Sequence, residues 1–80
     1  MPVKRDGEAT LEATFLEMRA RTIELAAALD RIERAPGGAG LMSADPRIDQ
    51  LRQAFKVLDE ADSTNRAERV QLIFSLPEQD

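Results

Sequence analysis

Residues 8–34 read EATLEATFLEMRARTIELAAALDRIER, and the spacing of their apolar side chains decides the fold. Leu11, Phe15, Met18, Thr22, Leu25, Leu29 and Ile32 follow one another at alternating steps of four and three. That is the rhythm of a helix whose one stripe faces a partner helix, held over three heptads. Thr22 is its one weakly apolar member. No Pro or Gly interrupts the run, and Glu8 and Glu12 place negative charge near the positive end of the helix dipole. The spacing predicts one long helix over residues 8–35. Pro36-Gly37-Gly38-Ala39-Gly40 stops it, because neither Pro nor clustered Gly sustains a helix.

A second apolar set lies on the same helix. Ala13, Leu16, Ala20, Ile23 and Ala27 are spaced at three and four. At 100° per residue this set centres roughly 160° from the first, on the opposite face. The alanines alone would be ordinary helix formers on a wet face. Leu16 and Ile23 are not explained that way, so these five residues are the candidate protein interface.

The second half of the chain restarts as helix. Asp45 is a good N-cap, and Pro46 suits the first helical position. Ile48, Leu51, Ala54, Phe55, Leu58 and Ala61 form one stripe, opposed by Asp49, Arg52, Gln53, Lys56 and Glu60. A helix over 46–62 follows. Asp62-Ser63-Thr64-Asn65 then interrupts it, since all four residues favour caps and turns. Asn65 with Glu68 suggests a capping box for a third helix over 66–75, which would bury Ala67, Val70, Ile73 and Phe74. Val70, Leu72, Phe74 and Leu76 also alternate as a strand would, but no other segment offers a partner strand. Pro77 ends the pattern.

The expected organisation is therefore a short disordered lead (1–7), a single helical domain (8–76) and a frayed end (77–80). At ~1.5 Å per residue the first helix is about as long as the other two together. The expected fold is all-α, a helical hairpin of one long helix and a kinked or broken return arm. Such a hairpin covers one face of the long helix. Dimerisation into a four-helix-type bundle would cover the other.

Composition sets the limits of function. Eighty residues form one domain with a thin core, and without cysteine or histidine neither disulfides nor a His/Cys metal site can reinforce it. Twelve alanines and nine leucines against three valines and four isoleucines favour helix over strand. The net charge of −4 is spread along the chain, and no segment carries the basic footprint of a nucleic-acid binder. No apolar run approaches a membrane span, and the polar start lacks the apolar core of a signal peptide. Neither a nucleic acid nor a membrane is expected as partner, and the expected compartment is the cytoplasm.

The strings that look like motifs fail on context. Asp59-Glu60-Ala61-Asp62 spells the acidic motif of helicases, but the chain has no GxxxxGK[ST] loop. The glycines at 37–40 follow a helix rather than a strand, so they read as a flexible interhelical loop and not a phosphate cradle. A calcium loop starting at Asp59 would need oxygen ligands where Ala61 and Val70 stand. Nucleophile–base pairs lack both Cys and His. Arg19 and Arg52 border the apolar stripes, and only they suggest a helical-bundle enzyme that holds an anionic substrate with inward arginines. The Arg66/Arg69 pair reads as surface, or as a pair reaching an acidic partner. No cofactor or catalytic residue is expected. The function expected is a protein–protein interaction or scaffold module, a homodimer or an adaptor that offers a helix face to a different protein.

Overall fold

A computed structural model describes residues 5–75, and every regular element among them is a helix. Helix α1 spans Arg5–Arg34, α2 Gly38–Ala44, α3 Pro46–Asp59 and α4 Arg66–Ser75. Val70, Leu72 and Phe74 all lie in α4, so their alternation does not mark a strand. Residues 1–4 and 76–80 lie outside the described residues, and with them most of the expected lead and the expected frayed end.

Helix α1 starts earlier than the sequence suggests. Asp6 and Gly7, expected in a disordered lead, are already helical. Asp6 and Glu8 stand in the first turn and Arg31 and Arg34 in the last, each complementing the dipole. The threonines turn their hydroxyls back onto the helix: Thr10 donates to the Asp6 carbonyl at 2.8 Å, Thr14 to Thr10 at 2.9 Å and Thr22 to Met18 at 2.8 Å. This satisfies the hydroxyls within a helix that offers them nothing else.

The glycine-rich stretch is not the flexible loop expected. Ala35-Pro36-Gly37-Gly38 forms a type II turn, with Gly37 at φ 80° and ψ −4° and the Gly38 N–H donating to the Ala35 carbonyl at 2.8 Å. Pro fixes the first corner and Gly supplies the left-handed second one. Gly38 then sits buried against α1, where a Cβ would lie 1.6 Å from the Ile32 carbonyl oxygen. Only glycine permits that approach, and it lets α2 begin at the last residue of the turn. The cluster that stops α1 therefore also aims the chain back onto it.

Helix α3 starts as its sequence predicts. The Asp45 carboxylate accepts from the Arg47 N–H at 2.8 Å, and Pro46 follows it in the first turn. The buried apolar residues Ile48, Ala54 and Val57 all belong to α3. Helix α3 stops at Asp59, three residues short of the expected end, because Glu60 turns to extended backbone. Asp62 is left-handed at φ 58°, a conformation that Asp tolerates better than most residues. The interruption is thus a true break. The expected capping box does not form, since Asn65 Oδ1 instead accepts from the Ser63 hydroxyl at 3.2 Å.

Helix α4 turns back along α3 instead of extending it. Gln50, near the start of α3, donates to the Ile73 carbonyl near the end of α4 at 3.2 Å. At the other end Arg69 pairs with Glu60. These two ties make α3 and α4 an antiparallel pair, so the return arm folds on itself rather than along α1. Among the described residues, no Cα of α1 lies within 8 Å of one in α3 or α4. Among the described residues α1 packs chiefly on α2, its half-buried side chains lie between Leu25 and Ile32, and Ile32 shares a cleft with Ile48 and Leu51 of α3.

The molecule is accordingly extended, 55 × 28 × 17 Å with a radius of gyration of 16.3 Å. A compact chain of this length has a radius near ~12 Å. A ~45 Å rod, the length of α1 at ~1.5 Å per residue, accounts for most of the long axis.

Candidate interaction surface

Helix α1 changes character along its length. From Leu25 to Ile32 the residues Leu25, Ala27, Ala28, Leu29 and Ile32 are half-buried beside α2. From Asp6 to Glu24 every residue is exposed. The first seam is thus divided. Its lower members, Leu25, Leu29 and Ile32, are partly covered, while Leu11, Phe15, Met18 and Thr22 stand in water.

Phe15 keeps 50% of its surface exposed, and Leu11 and Met18 are comparably open. Of the five candidate interface residues, Ala13, Leu16, Ala20 and Ile23 are exposed and only Ala27 is half-buried. Leu16 is the most open of the large apolar side chains, at 73%. None of the first four is brought against another part of the chain. The periodicity of the first seam implied cover by the return arm. Cover is missing because the break at Glu60–Asn65 turns α4 back onto α3 instead of along α1.

The charged groups on α1 form few fixed contacts. Arg21 pairs with Glu17 one turn away, an exposed pair of little energetic weight. Among the described residues Glu12 and Arg19 make no salt bridge. Arg19 and Arg52, the two arginines that border the apolar stripes, are both exposed.

The best-formed polar cluster lies at the α3–α4 break. Arg66 donates to the Ser63 carbonyl at 2.9 Å and to the Glu60 carbonyl, and Arg69 grips the Glu60 carboxylate with both terminal nitrogens, one at 2.9 Å. Arg66 Nε is buried there without a partner. The Arg69 guanidinium bonded to Glu60 holds that carboxyl below its ordinary pKa. The pair that the sequence reads first as surface is thus a clamp. It satisfies the Glu60 carbonyl just past α3 and the Ser63 carbonyl in the turn, and offsets the cost of cations at the start of α4. The acidic string at 59–62 supplies its other half. The only signal for this was the spacing of Arg66 and Arg69 on one face, which a sequence cannot connect to a residue before the turn.

A second polar pair, Asp45–Arg47, stands at the rim of a shallow open cleft of about 350 Å³ lined by Ile32, Leu41, Ile48 and Leu51. The Arg47 side chain, and then its backbone N–H, hold the Asp45 carboxyl down from 3.8 to about 2. Its floor is apolar and its ion pair is internally satisfied. Among the described residues no group of three or more acidic, His or Cys side chains is placed to hold a metal ion, and no helix is long and apolar enough to cross a membrane.

The chain is an all-α protein with a largely uncovered first helix. No family model, characterised protein or solved structure matches it.

Proposed function

We propose that this protein is a small interaction or scaffold module that self-associates through α1, with no catalytic role. One observation carries the reading: two apolar seams run along α1, and from Asp6 to Glu24 nothing among the described residues covers either. Leu11, Phe15 and Met18 form one, and Leu16 and Ile23 with Ala13, Ala20 and Ala27 form the other. Scattered exposed apolar residues need no explanation, but side chains in helical register from Leu11 to Ile23 do. A lone helix gains little stability in water, and most helical stability comes from packing an amphipathic face. The buried core, two large side chains and an alanine, is small support for a thirty-residue helix. Two seams on opposite faces give each α1 two surfaces on which a neighbour can pack. A second copy is the economical partner, since symmetric dimers are the commonest assemblies.

The test compares masses by light scattering at micromolar concentration. Wild type is expected above one chain. Leu11→Glu with Phe15→Glu is expected to lower the mass if the first seam is the contact, and Leu16→Glu with Ile23→Glu if the second is. Unchanged mass in both double variants contradicts α1 as the interface.

A second reading rests on a different observation. Leu58, Leu72 and Phe74 are exposed on α3 and α4, away from α1. A module of this kind used as an adaptor would offer that surface to a different protein.

A further inference from the structure

The open part of the first seam has a length and a charge pattern that select one way of pairing. In heptad letters Leu11, Met18 and Leu25 occupy d and Phe15, Thr22 and Leu29 occupy a. The flanking e positions are then Glu12, Arg19, Ala26 and Glu33, and the g positions Thr14, Arg21 and Ala28. These flanks decide partner orientation, because g meets e in a parallel pair, whereas e meets e and g meets g in an antiparallel one.

A parallel pair has nothing to gain from them. Thr14 would meet Arg19, Arg21 would meet Ala26, and Glu8, in an a position, would face its own copy in the seam. Antiparallel pairing depends on register. With Phe15 opposite Met18 of the second copy, Leu11 lies opposite Thr22, and Glu12 lies beside Arg19 on both sides of the dyad. Arg21 meets Thr14, so no like charges face one another. A slip of one heptad sets Arg19 against Arg19, or in the other direction Glu12 against Glu12. A slip of two heptads sets Glu12 against Glu33. Among registers that pair the exposed stretch with itself, this one combines two opposite-charge pairs with no like-charge pair; the slip that sets Arg19 against Glu33 would centre on Leu25 and Leu29, which are already half-buried.

The length agrees. Burial along the seam begins at Leu25, and since α1 starts at Arg5 this register runs residues 5–28 of the two helices past one another, which takes in the whole exposed stretch 6–24 and sets Glu8 opposite Leu25. The lower seam is thus half-buried within the chain, and the upper seam is left to a neighbour. We infer that two copies of this chain pair antiparallel through Leu11, Phe15, Met18 and Thr22, with Glu12 of each copy bridging Arg19 of the other. This rests on the reading that α1 self-associates. It leaves Leu16 and Ile23 facing outward on both sides of the pair.

Two measurements test it. The chain has no cysteine, so introduced thiols report on geometry without interference. Leu11→Cys and Thr22→Cys proteins are oxidised separately and as an equal mixture. Covalent dimer in the mixture alone is the expected result. Covalent dimer from each variant by itself indicates parallel pairing and overturns the inference, as does its absence from all three samples while wild type is dimeric. The second measurement uses charge. Glu12→Arg and Arg19→Glu each place two repulsive pairs in their own dimer, so each is expected to weaken dimerisation about tenfold. Mixing the two restores two attractive pairs and wild-type dimerisation. No recovery on mixing overturns the inference. A wild type that is monomeric defeats the underlying reading instead, so the two failures are distinguishable.

Discussion

Gly38 and Gly40 stand two residues apart in the same helix and behave oppositely. A Cβ on Gly38 would overlap the Ile32 carbonyl, whereas one on Gly40 meets nothing within 4 Å. Gly38→Ala is expected to lower stability by more than about 2 kcal/mol, since backbone must move. Gly40→Ala is expected to raise it by up to about 1 kcal/mol through helix propensity. Urea denaturation of the two variants checks both signs. Asp45 gives a pH dependence at the same scale. Its folded pKa lies below its unfolded one, so its contribution is complete above pH 3.8 and is lost as the pH falls toward about 2. Wild type should exceed Asp45→Ala in stability at pH 5, with the gap closing between pH 4 and 2. A gap that stays constant over that window would mean the charge on Asp45 contributes nothing. The Asp45 cap was legible from sequence because its partners are the next two residues. Gly38 was not, because its need for a bare backbone comes from Ile32, six residues back and across a turn.

Helices show the same division between local and distant causes. The type of every long element could be read from apolar period and caps. The turn at Ala35–Gly38 carried its Pro-Gly signature in plain view, but its consequence, a helix in place of a loop, required Gly38 to pack on α1. The end of α3 was misplaced by three residues because Ala61 continues the apolar stripe, whereas Glu60 is drawn out of the helix toward Arg66 and Arg69. That clamp makes a prediction for α4. Arg69→Ala should speed amide hydrogen exchange in α4 while leaving α1 unchanged, because α4 touches α3 and not α1. Equal acceleration in α1 would contradict the division of the molecule described above.

At the scale of the whole molecule, heptad spacing shows that a helix has a stripe to cover, but not which chain covers it. The sequence assigns the first seam to the return arm and the second to another copy. In the structure the return arm closes on itself, and both seams stay open from Leu11 to Ile23. Self-association should then tie stability to concentration, so the unfolding temperature should rise with protein concentration over the micromolar range. The central claim is that α1 exists to be covered by a second copy. Sedimentation equilibrium of the wild-type chain tests this most directly. A mass near twice the 8.9 kDa of one chain is expected, falling toward that value on dilution. A mass of one chain across the micromolar range, with the helices intact, would contradict it.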